Sequence, residues 1–274
     1  MPLLHVAVLA ALQGLTEALP VSGSGHGVAA RLWLDPGAAG GLPALLHLGT
    51  ALGLVVAARR RLAAALGEGV RAIARPTLFR ASPAAHDAVT LLIGTVVSLL
   101  VSAATLPRVE MWAASPTAAG AGLCAAGLAL ASTGLLPRHL GPLGPGAGRP
   151  GPSLAGAVLV GIAHGLAVFP GASRVGAALT VLLWIGVRPG RAVDLAFLLT
   201  VPSLVFAFAR HAGQGGIDPG VIALGLVLAF LGTLFASGAL RTLVERRRLG
   251  ALALWNLPLG LAMLAYAHAL PHAV

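Results

Sequence analysis

Six stretches of this chain, at about 42–58, 88–106, 112–136, 192–209, 219–240 and 250–270, approach or reach the roughly 20 consecutive apolar residues that a helix needs to cross a bilayer. A segment in lipid must satisfy its backbone hydrogen bonds internally, so each stretch predicts a helix. Four further apolar stretches are too short to span singly. They come in two pairs, 3–18 with 27–34 and 154–169 with 175–187, each split by a loop of Pro, Gly and Ser. Each pair predicts two re-entrant half-helices, whose loop is tolerated at membrane depth only where it is buried in protein or lines a cavity. The expected fold is therefore an all-α polytopic membrane protein with about six transmembrane helices plus two re-entrant helix pairs. It forms a single integral membrane domain over 1–274, with halves at about 1–136 and 153–270 and a Pro/Gly-rich linker at 137–152.

Charge supplies the orientation. Only 9% of residues are charged, against about 25% in soluble domains. All 18 basic residues are arginine, and the formal net charge is +10. That charge does not point to nucleic acid, because the arginines sit in short connections between apolar spans. Fourteen of them (Arg59, Arg60, Arg61, Arg71, Arg75, Arg80, Arg138, Arg149, Arg188, Arg191, Arg241, Arg246, Arg247 and Arg248) fall on one side of a six-span topology, and only Arg108 and Arg210 on the other. The positive-inside rule makes the first side cytoplasmic. Both termini then face outward. The first re-entrant pair enters from outside and the second from the cytoplasm, an inverted repeat whose loops meet near mid-membrane. This predicts a multi-pass protein of the cell inner (plasma) membrane with its site open to the outer face. The single cysteine, Cys124, lies in an apolar span, so no disulfide framework or cysteine metal site is expected. The first apolar run has no basic leader and is interrupted by Gln13 and Glu17, unlike a signal peptide.

The two broken segments hold the polar residues that this composition otherwise avoids. The first reads Gln13-Gly-Leu-Thr-Glu17-Ala-Leu-Pro20-Val-Ser22-Gly-Ser24-Gly-His26 and the second His164-Gly-Leu-Ala-Val-Phe-Pro170-Gly-Ala-Ser173-Arg174-Val-Gly176. Ionisable groups at membrane depth are costly and read as functional. Gln13 and Glu17 are four apart, on one helical face. The glycines, Gly25 and Gly171 among them, can turn tightly and bring backbone N–H groups to a ligand. Gln13-Gly-Leu and His164-Gly-Leu correspond, a weak internal repetition of the kind that marks a midplane binding site in repeat-built membrane proteins.

Each loop is expected to feed a helix N-terminus, at about Gly27 and Val175, where free N–H groups and the helix dipole favour phosphate. Ser22, Ser24 and Ser173 add hydroxyls. Arg174 adds a guanidinium whose planar fork suits phosphate oxygens, the competing role being an internal ion pair with Glu17. Glu17 repels phosphate directly and so is read as holding a divalent cation, Mg²⁺ or Ca²⁺, that the phosphates also bind. His26 can move a proton or attack phosphorus. The set describes a phosphate-ester or diphosphate hydrolase working within the membrane. The other histidines are scattered along the chain.

With these residues the chain resembles the undecaprenyl-pyrophosphate phosphatase (bacitracin-resistance protein) family over essentially its whole length. The first segment resembles the family's (Glu/Gln)-x-x-x-Glu and Pro-Val-Ser-Ser-Thr-Gly-His region, and the second its Pro-Gly-x-Ser-Arg-Ser-Gly motif. The resemblance implies an integral membrane enzyme that removes one phosphate from the C55 isoprenoid diphosphate. That reaction recycles the lipid carrier of cell-wall synthesis and confers bacitracin resistance. Carried over by position, Gln13 and Glu17 fill the acidic pair, His26 the motif histidine, and Ser173 and Arg174 the second pair. The expected catalytic set is Glu17, His26 and Arg174, with Gln13, Ser22, Ser24, Gly25, Gly171 and Ser173 binding substrate and Glu17 binding metal. Expected partners are the polyprenyl diphosphate, membrane lipids and no nucleic acid, with a homodimer as a compatible assembly. The departures are Gly23 in the middle of the Ser-Ser-Thr triplet, Val175 for serine, His164 for glutamine, and Gln13, which leaves one carboxylate for metal. Gly23 narrows a serine nucleophile to Ser22 or Ser24, beside His26. The competing functions are a lipid-phosphate transporter or flippase, built on the same inverted loops, and a non-catalytic relative with the same fold.

Overall fold

The computed structural model describes residues 3–32, 42–136, 149–211 and 218–269. Most of the predicted linker, including Arg138, lies outside these residues, as does the side chain of Arg80. In chain order the helices are α1 (Leu3–Ala18), α2 (Gly23–Arg31), α3 (Leu42–Ala57), α4 (Arg59–Ala74), α5 (Leu78–Ala81), α6 (Pro83–Trp112), α7 (Pro116–Ser132), α8 (Leu154–Leu166), α9 (Arg174–Trp184), α10 (Pro189–His211), α11 (Pro219–Glu245) and α12 (Ala253–Ala269). Short 3₁₀ turns extend α7 to Leu135 and lead into α12 from Leu249. Among the described residues the only β contact is an isolated bridge between Arg149 and Val187.

Among the described residues five helices, α6, α7, α10, α11 and α12 with their 3₁₀ extensions, are long and apolar enough to cross a membrane. They are five of the six predicted spans. The sixth, predicted at 42–58, is the 16-residue α3, about 24 Å long at 1.5 Å per residue. It is cut short because the arginines begin at once, and after Ala58 the chain continues as α4, carrying Arg59, Arg60, Arg61 and Arg71. The spans predicted at 42–58 and 88–106 leave the arginines from Arg59 to Arg80 in a connecting loop, which is instead helical over Arg59–Ala74. In α4 the apolar Leu66, Val70 and Ile73 are exposed at helical spacing, a face suited to the membrane interface.

The two halves reuse one pattern of contacts. Half-helix α1 packs on α11, and its counterpart α8 packs on α6; α3 packs on α10 and α7 on α12. In lipid the hydrophobic effect does little to hold helices together, so close packing and interhelical hydrogen bonds decide which pairs form. Gly14 seats α1: a Cβ there would lie 2.2 Å from the Ala229 carbonyl oxygen of α11. Gly165, in the same register of α8, lies against the Ser98 carbonyl of α6, where a Cβ would meet the oxygen at 2.7 Å. The hydroxyls of Thr233 and Ser102 donate across these two contacts, to the carbonyls of Gly14 (3.3 Å) and Gly165 (3.2 Å).

One end of the bundle is tied by charge. Asp87 accepts from Arg61 (2.8 Å) and Arg191 (2.5 Å), and Asp194 from Arg61 (2.9 Å) and Arg241 (2.6 Å). The network joins α4, α6, α10 and α11, and it gathers arginines from three of the connections predicted to share a side. The Arg149–Val187 bridge adds the end of the linker to the loop before α10. At the other end of α6 and α10, Arg210 pairs with Glu110.

Candidate active site

Both re-entrant loops end in a capping serine with the same unusual backbone. Ser22 has φ 74° and ψ 100°, and its Oγ accepts from Gly25 N–H at 3.2 Å; Ser173 has φ 55° and ψ 100°, and its Oγ accepts from Gly176 N–H at 3.1 Å. A non-glycine residue held at positive φ costs about 1–3 kcal/mol and persists only where its surroundings impose it. The repetition at both loops marks them as copies of one device. It also restores the register: Gln13 and His164 each precede their cap by nine residues, although Pro20 and Pro170 do not align. Helix α2 consequently starts at Gly23, not near Gly27 as predicted, because Ser22 caps it; α9 starts at Arg174, as expected within one residue.

The loops touch. Gly171 N–H donates to Ser24 Oγ at 3.2 Å, and a Cβ on Gly25 would fall 3.1 Å from Gly171 Cα. Gly171, at φ +86°, leaves no room for a side chain, since its Cβ would meet the Ala119 carbonyl oxygen of α7 at 2.2 Å. The N–H groups of Gly25 and Gly171, expected to face a ligand, are thus engaged by Ser22 and Ser24. Ser24 Oγ also lies 3.2 Å from Ser22 Oγ. Of the three predicted serines, Ser22 and Ser173 are buried and only Ser24 is exposed.

Each repeat contributes one sign of charge. Arg174 Nη2 donates to Glu17 Oε1 at 3.0 Å, and its Nη1 reaches Ser203 Oγ on α10 at 3.4 Å. Both charges are largely buried, so each stabilises the other against desolvation. The internal ion pair weighed for Arg174 is therefore present. Glu17 Oε2 lies 3.5 Å from Gln13 Nε2. Gly23 keeps a space open beside this group: a Cβ there would sit 2.5 Å from Glu17 Oε2 and 3.2 Å from Gln13 Oε1. The second repeat has Arg174 at the position equivalent to Gly23. Among the described residues no three His, Cys, Asp or Glu side chains cluster as a metal site. One carboxylate and one amide oxygen facing a small space nevertheless fit a cation that takes most of its ligands from phosphates and water.

His26 sits on the first turn of α2, 5% exposed. Its Nδ1 is 2.8 Å from the Ser22 carbonyl oxygen and its Nε2 is 2.8 Å from Trp255 Nε1 of α12. An indole N–H only donates, so Nε2 accepts and Nδ1 carries the proton and donates to Ser22. The two ring planes are parallel within 5°, with centroids 6.1 Å apart. Beyond them opens an apolar groove of about 470 Å³ between α1, α2 and α12, lined by Leu12, Ala29, Ala30, Leu259 and Met263, with His26 and Trp255 in its wall.

Trp255 and Ser203 are absent from the sequence-derived set. Both lie outside the two motifs, within ordinary apolar spans that carry no spacing signal. His164, which replaces the family's glutamine, does not join the site. Thr200 Oγ1 donates to the Ala196 carbonyl (2.9 Å) and accepts from His164 Nε2 (3.2 Å), while Ser98 donates to Nδ1 (2.7 Å). It is a satisfied interior histidine joining α6, α8 and α10.

The family model described as bacitracin resistance protein BacA matches residues 6–262. The chain is 30% identical over 272 residues to the undecaprenyl-diphosphatase of Korarchaeum cryptofilum (strain OPF8), covering 97% of this chain and 99% of that one. It is 30% identical over 282 residues to the undecaprenyl-diphosphatase of Alcanivorax borkumensis (94% and 96%). It is 28% identical over 294 residues to undecaprenyl-diphosphatase 1 of Rhodospirillum rubrum (98% and 96%).

Proposed function

The chain belongs to the bacitracin resistance protein BacA family, and on that premise we propose that it is an undecaprenyl-diphosphatase. It hydrolyses the lipid diphosphate to the monophosphate and inorganic phosphate, recycles the cell-wall lipid carrier and confers bacitracin resistance. The observation that carries this reading is the meeting of the two loops: a carboxylate, an imidazole and a guanidinium from separate half-helices beside a groove with apolar walls. A diphosphate head needs the first and an isoprenoid tail the second.

In this reading Arg174 leaves Glu17 to orient the diphosphate, its charge being fixed at any working pH and its fork matched to phosphate oxygens. His26, aligned by the Ser22 carbonyl, takes the proton of the attacking water on Nε2 as the new oxygen–phosphorus bond forms. The anhydride bond then breaks, and the lipid monophosphate leaves. Glu17, with Gln13, would hold a Mg²⁺ or Ca²⁺ ion, which would supply positive charge to neutralise the phosphates. Ser22, Ser24, Ser173, Gly25 and Gly171 shape the floor on which the head rests. Ser24 stands as the alternative nucleophile, favoured over Ser22 because it is exposed and Ser22 is buried. The site lies in the inner membrane and opens to the outer face, as the arginine asymmetry orients the chain.

Purified protein in detergent, given undecaprenyl diphosphate and Mg²⁺ or Ca²⁺, should release inorganic phosphate with lipid monophosphate as co-product. Saturable binding of the lipid with no phosphate released by the purified protein would transfer the assignment to a lipid-phosphate transporter.

A further inference from the structure

We propose that Trp255 is a specificity-determining residue: its indole latches the reactive nitrogen of His26, and the isoprenoid tail of the substrate releases it. The inference rests on the role given to His26 above. The imidazole has two nitrogens, and the Ser22 carbonyl fixes the proton on Nδ1. Only the Nε2 lone pair can take a proton or attack phosphorus, and the Trp255 N–H already occupies it at 2.8 Å. The resting site is therefore blocked at its one reactive atom by a residue from a different helix, outside both motifs.

The latch is also placed where a tail would press on it. Trp255 is 59% exposed, whereas His26 is 5% exposed. Both line the same apolar groove, with Leu12, Ala29, Leu259 and Met263 along its length. Its volume of about 470 Å³ lies within the roughly 300–1,000 Å³ usual for small-molecule sites, room for the first isoprene units of a chain. His26 stands in the wall of this groove, so a tail whose diphosphate is attacked at Nε2 runs past the indole. An apolar chain there gives the Trp255 ring new packing and no acceptor for its N–H. The indole swings off, and Nε2 becomes free. A diphosphate without a tail leaves the latch closed. The hydrogen bond to Ser22 keeps the imidazole oriented after release, so the latch is not needed for alignment.

Phosphate release by the purified enzyme, measured at saturating substrate, compares dimethylallyl diphosphate, farnesyl diphosphate and undecaprenyl diphosphate in the parent and in Trp255→Phe. The variant keeps an aromatic wall and removes the N–H. The expected result is a rise in kcat on dimethylallyl diphosphate of up to about tenfold, the equivalent of one neutral hydrogen bond no longer broken. The ratio of that kcat to those on the two long-tailed substrates should rise by the same factor. A parallel fall on all three substrates would make Trp255 an aligning residue and overturn the proposal, as would unchanged values throughout. A parent that releases phosphate from none of them overturns the phosphatase reading and this inference with it; a parent active on the long lipids isolates the test to Trp255. A second readout needs no variant. In parent protein with ¹⁵N-labelled histidine, a farnesyl diphosphonate should move the His26 Nε2 resonance toward a free acceptor, whereas methylenediphosphonate should not. Equal shifts with both ligands overturn the latch.

Discussion

Glu17 and Arg174 approach each other from different repeats, and each is buried at a cost that the other offsets. Glu17→Gln removes the charge partner of Arg174 and the carboxylate that faces the space beside Gly23. We expect loss of phosphate release together with a weakened dependence on Mg²⁺ or Ca²⁺, read as phosphate release against cation concentration. Normal metal-dependent turnover in Glu17→Gln would remove the metal assignment. Gln13→Glu should keep or raise activity, since it adds a second acidic oxygen beside the space that Gly23 leaves open. Arg174→Ala should lose binding and turnover together, and Arg174→Lys should recover only part, because a point charge cannot form the two-pronged contact. The serines separate by position. Ser22→Ala deletes the cap of α2, a loss of about 0.5–2 kcal/mol, and lowers thermal stability. Ser24→Ala removes no helix cap but takes the acceptor from Gly171 N–H between the loops, a loss of about 0.5–1.5 kcal/mol, so its melting temperature reports that one contact.

At the scale of elements, glycine contacts and one ion network hold the half-helices and spans in place. Gly14→Val and Gly165→Val each drive a side chain into a backbone carbonyl, at 2.2 and 2.7 Å from the first added atom. Overpacking of this kind typically costs about 1–3 kcal/mol, and the two variants should lower the melting temperature in detergent by similar amounts. Asp87→Asn uncouples Arg61 and Arg191 from a residue that is 1% exposed. Breaking one partner of a buried pair costs about 3–5 kcal/mol, so this variant should lower the melting temperature most. The half-helices and their loops were legible because Gln13, Glu17, His26 and Arg174 stand out in an apolar chain and Gln13-Gly-Leu recurs as His164-Gly-Leu. Helix α4 was not, since its arginines read as a loop while its apolar face repeats only at helical spacing. Trp255 was not legible either. A tryptophan in an apolar span has no periodic or motif signature, and only the packing of α12 beside α2 brings it to His26.

Over the whole molecule, the exchange of contacts between halves and the gathering of arginines at one end agree with the topology drawn from charge. Reporters fused at Arg71 and Arg247 should read cytoplasmic and one fused after Val274 external. If Val274 and Arg247 report the same side, the six-span inverted arrangement fails. The central claim is that the two loops together make a hydrolytic site whose reactive group is His26. Its most direct test is single-turnover phosphate release from undecaprenyl diphosphate, measured beside equilibrium binding, in the parent and in His26→Ala. Positioned acid–base groups contribute about 10²–10⁴-fold, so the variant should bind the lipid as the parent does and release phosphate slower by at least that factor. Release at the parent rate from His26→Ala would contradict the claim.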